Sequence, residues 1–375
     1  MKTLKDIQFV DGIKVLMRAD FNVPLKNGVV ANDYRIRMTI PSIEYLLSKG
    51  AVVILMSHLE ADDGSNPSLQ PVANRLNELG VKVSFIKDYK NAYEFIESES
   101  QKSGKCFLLE NLRFFDGEKG NDPKFSKELA SLADIYVNDA FSVCHRKHAS
   151  IVGVPKLLDS YAGLQLEKEI SYLSKAFNPT RPFLFILGGA KFDTKLPLFE
   201  KFMKIADFVF VGGALANDFL LKKGYEVGES TVSKGDFELS QFLGNEKLLL
   251  PSDVLNEKRE VKSVIDFSST EKMVDVGPKT LEELREVILK AKSILWNGPL
   301  GRYEDGFQDS TLALAKIIGE ATENDGVESI VGGGDTLAAI ATLGIESKFT
   351  FVSTGGGAML DFLANGTLVG IEVLK

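Results

Sequence analysis

The chain has 375 residues, of which 44% are hydrophobic and 26% are charged, and its formal net charge is −8. This composition is typical of a globular protein of two or three domains, and the negative charge argues against nucleic acid as a partner. The chain has no apolar stretch of the ~20 residues that span a bilayer and no signal-peptide pattern at its start, so we expect a cytoplasmic protein with no membrane partner.

Short apolar runs alternate with longer amphipathic segments, which predicts βαβ units and parallel sheets. The runs of the first half are KVLMRADFN (14–22), VVILMSHLE (52–60), CFLLENLRF (106–114) and DIYVNDAFS (134–142). Ligands of parallel sheets bind at the carboxyl ends of the strands. Because these runs end in Asp, Asn, His, Glu and Arg, we expect polar side chains at this ligand-binding edge.

A helical segment separates the two halves within residues 161–182. Apolar residues recur there at helical spacing, with charges between them, and Asn178, Pro179 and Pro182 end the pattern. We interpret this segment as a connecting helix between two domains. An ordinary surface helix inside one domain is the alternative.

In the second half, the apolar runs end in glycine. They are FLFILGGAK (183–191), FVFVGGALA (208–216), SILWNGPLG (293–301), SIVGGGDT (329–336) and FVSTGGGAM (351–359). Glycine at a strand-to-helix turn lets a ligand approach the backbone and exposes amide groups at a positive helix N-terminus. Repeated at several strand ends, it predicts a nucleotide site. The P-loop, dinucleotide-fingerprint and protein-kinase motifs are absent from the sequence.

Polar neighbours of these glycines fit phosphate chemistry. Lys191 follows Gly188 and Gly189, and Lys195 comes four residues later, on the same face if the segment is helical. Both lysines could neutralise phosphates, although a solvated helix surface is their commoner place. Asp335 stands with Thr336 where a helix N-cap is expected, and it is alternatively a ligand for Mg²⁺, which prefers one or two carboxylates plus phosphate oxygens.

The first half gathers cationic residues near its polar strand ends, together with all the histidines of the chain: Arg35, Arg37, Arg113, Arg146, His58, His145 and His148. Such a cluster fits a small anion with phosphate and carboxylate groups, which guanidinium binds in bidentate fashion. Asp20 and Asn22 would add hydrogen bonds to a hydroxyl group. Cys106 and Cys144 give no disulfide framework, and no acidic or cysteine ligand completes a metal set beside His145 and His148.

The sequence resembles the phosphoglycerate kinase family over essentially its whole length. The matching stretches are RADFNVPL (18–25), DYRIR (33–37), SHL (57–59), ENLRF (110–114), NDAF (138–141), HRKHAS (145–150), GGAK (188–191), WNGPLG (296–301), GGGDT (332–336) and STGGGA (353–358). The resemblance implies an α/β fold of two Rossmann-like lobes, each a parallel-sheet three-layer α/β/α sandwich, joined by a hinge helix. It implies a glycerate-binding lobe at 1–162 with a tail at 360–375, an interdomain helix at 163–178 and a nucleotide-binding lobe at 179–359.

The resemblance also implies the reaction, which is Mg²⁺-dependent phosphoryl transfer from 1,3-bisphosphoglycerate to ADP, giving 3-phosphoglycerate and ATP in glycolysis, by a monomer that closes over its substrates. Residues matching catalytic positions are Arg35, Lys191 and Lys195. Substrate positions are Asp20, Phe21, Asn22, Arg35, His58, Arg113, His145 and Arg146. Nucleotide positions are Gly188, Gly189, Lys191, Lys195, Gly212, Gly213, Asn297, Pro299, Glu304, Gly333, Gly334, Asp335, Thr336, Gly355, Gly356 and Gly357, and Asp335 is also the metal position. Both possible nucleophiles are anions already, so the chemistry needs charge neutralisation and alignment rather than a general base.

The sequence departs from the family pattern after the second apolar run. The family usually reads SHLGRP, whereas this chain reads SHLEADDGSNP, so that Glu60 and Ala61 replace Gly and Arg and two aspartates, Asp62 and Asp63, follow. An acidic loop beside an anion site motivates an alternative, a weakly active homologue that serves as a nucleotide-binding or regulatory protein. A nicotinamide-dependent dehydrogenase is disfavoured because the fingerprint is absent.

Overall fold

The structure is a computed structural model that describes residues 1–61, 63–99, 105–190, 192–235 and 237–375. The chain divides into two compact units, Met1–Ser171 with Asn365–Lys375, and Tyr172–Ala364. Each unit is built on a parallel sheet with flanking helices, which confirms the predicted class of two parallel-sheet α/β lobes. No helix in the described ranges has both the length and the apolarity that a bilayer crossing requires.

The strands of the first unit are short and separated by helices in chain order. The strands are β1 (Lys14–Arg18), β2 (Leu25–Lys26), β3 (Val29–Val30), β4 (Val52–Met56), β5 (Ser84–Ile86), β6 (Cys106–Leu109), β7 (Ile135–Asn138) and β8 (Asp159–Ala162). The helices are α1 (Tyr34–Ser48), α2 (Gln70–Glu78), α3 (Ala92–Glu99), α4 (Asp116–Lys119), α5 (Pro123–Ala130) and α6 (Leu164–Lys175), the last of which runs across the boundary into the second unit.

Among the described residues of the first unit, six strands form one parallel sheet in the order β5-β6-β4-β1-β7-β8. All five residues of β4 are buried, because helices cover both faces of a parallel sheet. Arg18 pairs with Met56 of β4 and with Asn138 of β7, so these strands end side by side. The residues that follow them therefore meet at one edge of the sheet.

The second unit repeats this plan. Its strands are β9 (Phe183–Leu187), β10 (Phe208–Val211), β11 (Leu248–Leu249), β12 (Asp253–Asn256), β13 (Val261–Ser263), β14 (Met273–Val276), β15 (Ser293–Asn297), β16 (Glu328–Gly332) and β17 (Phe351–Ser353). Its helices are α7 (Phe192–Ile205), α8 (Ala214–Lys222), α9 (Pro278–Lys290), α10 (Asp309–Asp325), α11 (Gly334–Leu343) and α12 (Gly357–Asn365). A last helix, α13 (Val369–Glu372), belongs to the first unit.

The main sheet of the second unit is also parallel, in the order β11-β10-β9-β15-β16-β17 within the described ranges. Asn297 at the end of β15 pairs with Leu187 of β9 and Gly332 of β16, so the glycine turns after these strands lie side by side. A separate antiparallel sheet, β13-β12-β14, was not expected from the sequence. Its short strands carry several polar residues, which hides them from an apolar-run criterion.

Candidate active site

The polar edge of the first unit is organised by a buried arginine at the end of β1. Arg18 is fully buried, and its Nε donates to Ser150 Oγ at 3.1 Å. Its Nη2 lies 2.9 Å from His58 Nδ1. Because guanidinium has no acceptor, His58 Nδ1 must accept this bond, and the remaining ring proton is on Nε2. Burial first, and then the charge of Arg18, lowers the pKa of His58 well below its ordinary value, so the imidazole is neutral at pH 7.

A second arginine continues this edge from the turn after β6. The side chain of Arg113 is 1% exposed, and its Nη1 lies 3.3 Å from His148 Nδ1. Burial, with the nearby guanidinium of Arg113, lowers the pKa of His148 to about 3. Glu118 is 3.9 Å from the same nitrogen but accepts hydrogen bonds from Ser150 instead, at 2.9 Å from the amide and 2.6 Å from the hydroxyl. His148 is therefore a neutral hydrogen-bonding group and not an ion-pair partner.

Arg146 adds a third guanidinium to the potential at this edge. Its Nε lies 3.4 Å from His145 Nε2, and after burial, which is the larger cause, its charge contributes to the lowered pKa of both Arg113 and His58. Arg146 and Arg18 both lower the proton affinity of Arg113, so the potential at this edge is positive. A positive potential favours a bound anion.

The remaining sequence-predicted residues of the first unit divide into two groups. Arg35 of α1 pairs with Asp20 at 3.2 Å, and Asn22 Oδ1 accepts from the amide of Glu60 at 2.9 Å. The Phe21 ring, in contrast, lies in the hydrophobic core and is 0% exposed. Its side chain is therefore not at the polar edge, and its backbone amide donates to Ser57 Oγ at 3.0 Å. We call Arg18, Arg35, His58, Arg113 and Arg146 together the cationic edge.

The acidic loop after β4 turns one of its carboxylates towards this edge. Glu60 Oε2 lies 3.7 Å from Arg113 Nε. Asp63 points elsewhere, since its carboxylate accepts from the Ser65 amide at 2.9 Å within the loop. Asp62 lies outside the described residues.

Sequence reasoning missed several residues that hold the cationic edge in place, among them Arg18, Glu118 and Ser150. Arg18 lies inside a stretch that matched the family, and an arginine that ends an apolar strand was an available signal. Glu118 and Ser150 are 32 positions apart in sequence, and only the fold brings them together.

The second unit contains a cavity of about 630 Å³ at the ends of its strands. Its lining combines glycine backbone and Lys195 with the apolar residues Leu220, Val254, Met273 and Leu300. We call this space the glycine cavity. Predicted nucleotide residues that line it are Gly189, Lys195, Gly213, Asn297, Pro299, Glu304, Gly333, Gly334, Asp335, Gly356 and Gly357.

Lys195 of α7 is the buried cation of this cavity. Its side chain is held by a hydrogen bond from Nζ to the Gly188 carbonyl at 2.5 Å, and the residue is 9% exposed. Burial lowers the pKa of this ammonium to about 8, while the carboxylate of Asp335 acts in the opposite direction. Lys191, the second lysine of the prediction, lies outside the described residues.

Four predicted nucleotide residues, Gly188, Gly212, Thr336 and Gly355, do not line the cavity but lie next to residues that do. A Cβ on Gly188 would lie 2.1 Å from the Pro299 carbonyl oxygen, and one on Gly212 would lie 2.8 Å from Leu300. The Gly355 amide donates to the Ser353 hydroxyl at 3.1 Å. Thr336 is fully buried and accepts from the Gly298 amide at 3.1 Å.

The expected capping of α11 by Asp335 or Thr336 is wrong. The N-cap is Gly333, which forms no side-chain capping bond, and both polar residues lie in the first turn. Thr336 instead fixes the glycine turn after β15. The Asp335 carboxylate faces the cavity, where it is available to a ligand.

Comparison with known proteins decides the family. Residues 4–366 match the sequence profile described as phosphoglycerate kinase. A protein of Dictyoglomus turgidum with that name is 46% identical, over 100% of this chain and 99% of its own length. The chain belongs to the phosphoglycerate kinase family.

Solved structures of phosphoglycerate kinases have the same fold. The one from Coxiella burnetii superposes with a TM-score of 0.84 at 35% identity, covering 99% of this chain and 98% of that one. The one from Pyrococcus horikoshii gives 0.85 at 30% identity, covering 100% and 98%. Phosphoglycerate kinases are phosphotransferases that use ATP and ADP, so the predicted enzyme class is confirmed.

Proposed function

We propose that this enzyme transfers a phosphoryl group reversibly between 1,3-bisphosphoglycerate and ADP, giving 3-phosphoglycerate and ATP. In the forward direction, the terminal phosphate of ADP attacks the acyl phosphate and the glycerate carboxylate leaves. In reverse, the carboxylate of 3-phosphoglycerate attacks the γ-phosphate of ATP. We assign the glycerate to the cationic edge and the nucleotide to the glycine cavity, and the names of the relatives support the reaction.

The observation that carries the proposal is the geometry of the cationic edge, where the buried guanidiniums of Arg18 and Arg113 lie against histidines of low basicity. Burial and neighbouring guanidiniums lower the pKa of His148 to about 3 and that of His58 well below its ordinary value. Each imidazole is therefore a weaker base than an ordinary histidine and is less suited to take a proton from an acceptor hydroxyl near pH 7. A carboxylate acceptor needs no such base, because it is already an anion.

What the reaction needs is alignment and neutralisation of two anions. We assign Arg35 to the transferring group, and Arg113 and Arg146 mainly to the distal phosphate of the glycerate. Lys195 and the N-termini of α11 and α12 would stabilise the nucleotide phosphates. Lys191 keeps the same role as a prediction from sequence.

The residues present fit a magnesium ion that is brought with the nucleotide. Asp335 offers a carboxylate to the glycine cavity, and one carboxylate plus phosphate oxygens is a usual Mg²⁺ environment. Within the described residues no group of three His, Cys, Asp or Glu could hold a metal alone. When bound, the ion would reduce the negative charge of the phosphates.

The predicted domain roles belong to this proposal. We infer a glycerate-binding lobe at 1–162 with the tail at 360–375, an interdomain helix at 163–178 and a nucleotide-binding lobe at 179–359. Transfer then requires the lobes to close so that the substrates meet without water. A cytoplasmic, monomeric enzyme remains the expected form.

A coupled assay with 3-phosphoglycerate and Mg-ATP tests the proposal. We expect ADP release that depends on 3-phosphoglycerate. Its kcat should lie within about 1–10³ s⁻¹, the range common to enzymes. Calorimetric titration with ADP is run in parallel. Turnover near zero with intact ADP binding would instead favour the nucleotide-binding or regulatory alternative that the acidic loop motivates.

Substitution of Arg35 tests its assigned role. Arg35→Ala should lower kcat by about 100-fold or more, the scale reached when a group that stabilises transition-state charge is removed. Arg37→Ala is the matched control, because Arg37 lies on the same helix and pairs with Asp33 at 2.9 Å. Turnover of Arg35→Ala within a few-fold of the unsubstituted enzyme would refute the assignment.

A further inference from the structure

The pair formed by Glu60 and Arg113 has an unusual geometry. The Glu60 side chain is 38% exposed, whereas the Arg113 side chain is 1% exposed. At 3.7 Å, the distance between Oε2 and Nε is that of an ion pair without a hydrogen bond. Arg113 Nε has no hydrogen-bond acceptor among the described residues. The buried Nε–H of Arg113 thus remains available to a ligand, while the Glu60 carboxylate partly compensates the charge of the guanidinium.

The backbone on both sides of this pair is fixed by one side chain. Asn111 Oδ1 accepts from the amides of Leu59 at 3.2 Å and of Arg113 at 3.0 Å, and Asn111 Nδ2 donates to the Leu59 carbonyl at 2.7 Å. Asn22 holds the Glu60 amide at 2.9 Å. The backbone of Glu60 is therefore held in place beside Arg113, and the folded loop keeps the Glu60 carboxylate close to the guanidinium.

We propose that Glu60 is an internal counter-anion of Arg113 that an anionic substrate has to displace, so that Glu60 sets substrate affinity and not the rate of transfer. The inference rests on the proposed function in one respect, the assignment of the glycerate to the cationic edge. Without ligand, Glu60 partly compensates the charge of Arg113, which is also repelled by the guanidiniums of Arg146 and Arg18. With ligand, the distal phosphate takes over that role with hydrogen bonds, and the exposed carboxylate moves into solvent.

The test compares Glu60→Gln with Asp63→Asn. Glutamine keeps the size of the side chain and removes the charge. Asp63→Asn removes a charge from the same loop. The carboxylate of Asp63 accepts from the Ser65 amide and does not contact Arg113. Each variant is titrated calorimetrically with 3-phosphoglycerate in the absence of nucleotide, and KM and kcat are measured for both substrates.

We expect Glu60→Gln to lower Kd and KM for 3-phosphoglycerate by about fivefold, which corresponds to about 1 kcal/mol. Its kcat and its KM for ATP should stay within about twofold, and Asp63→Asn should match the unsubstituted enzyme. The unfolding temperature of Glu60→Gln should fall without ligand and recover with 3-phosphoglycerate, because the bound phosphate replaces the lost counter-anion.

Unchanged or weaker binding of 3-phosphoglycerate by Glu60→Gln would overturn the proposal, as would an equal gain in Asp63→Asn, which would indicate a general charge effect. Failure of the proposed function has a different signature. In that case the unsubstituted enzyme produces no ADP with 3-phosphoglycerate, while the titrations, which need no turnover, still compare the variants.

Discussion

Lys195 is buried among glycine amides, and its proton is held less firmly than that of an exposed lysine. Burial lowers the pKa of its ammonium to about 8, so the free enzyme loses this charge as the pH rises through 8. Nucleotide phosphates need the protonated form. Under the proposed function, Lys195 would make nucleotide binding depend on pH in a range where most lysines do not titrate.

This predicts the shape of a pH profile. The kcat/KM for Mg-ATP should fall by about tenfold per pH unit above an apparent pKa of about 8. In Lys195→Arg that alkaline limb should move upward, since guanidinium stays protonated. Profiles recorded between pH 6.5 and 9.5 check this. A limb that stays near pH 8 in Lys195→Arg would assign the titration to another group.

Of the glycines at 332–334, the structure itself requires two, and the third borders open space. A Cβ on Gly332 would lie 2.2 Å from Met359 Sδ, so packing excludes it. Gly333 has φ +109°, a conformation that side chains rarely adopt. A Cβ on Gly334 would meet nothing within 4 Å, and this residue lines the glycine cavity. Of these three glycines, only Gly334 borders empty space, and a ligand in the glycine cavity would fill that space.

Alanine substitutions separate these reasons. Gly334→Ala should raise Kd for ADP by about tenfold, the scale of an added methyl group in a packed site, with an unchanged unfolding temperature. Gly333→Ala should lower stability by about 1–3 kcal/mol through backbone strain. Calorimetric titration and thermal unfolding give both numbers. Tight ADP binding by Gly334→Ala would mean that phosphates do not approach this turn.

At the scale of elements, α6 begins on acceptors that are distant in sequence. Asp139 Oδ1 accepts from the amides of Gln165 at 2.8 Å and Leu166 at 3.2 Å, and Ser42 Oγ accepts from Leu164 at 3.0 Å. Helix N-termini are usually capped by an adjacent residue. Here a strand end of the first unit fixes the start of the helix that leads into the second unit.

Asp139 makes this start sensitive to pH. Burial raises its pKa to about 6, above the ~3.9 of an unfolded aspartate, so its stabilising contribution is complete below pH ~4 and is lost as the pH rises through 6. Asp139→Asn removes the titration and keeps a capping oxygen. Relative to the unsubstituted protein, its free energy of unfolding should rise by up to about 3 kcal/mol between pH 4 and 7. Urea unfolding at each pH measures the difference, and parallel curves would rule the effect out.

Sequence reasoning found these elements to different extents. The apolar runs and their polar or glycine ends were sufficient to predict two parallel sheets and the residues at their edges, because strand period and strand ends are local features. The capping by Asp139, the Arg18–His58 bond and the antiparallel sheet β13-β12-β14 depend on contacts between segments far apart. A single sequence with no structure carries no signal for such contacts.

At the scale of the whole molecule, we propose that each unit offers a different kind of surface to an anion. The cationic edge of the first unit has guanidinium and neutral imidazole side chains, whereas the glycine cavity of the second, among the residues described, has glycine backbone and the buried ammonium of Lys195. Neither histidine with a lowered pKa is suited to remove a proton. The proposed function makes one central chemical claim, which is that the acceptor of the phosphoryl group is a carboxylate.

Trapping with hydroxylamine tests this claim most directly. The enzyme is incubated with 3-phosphoglycerate, Mg-ATP and hydroxylamine, which converts an acyl phosphate into a hydroxamate and releases phosphate. We predict one hydroxamate for each ADP formed, with Arg35→Ala slowing both equally. ADP that appears without hydroxamate would place the phosphoryl group on water or on a hydroxyl group, and a carboxylate acceptor would be ruled out.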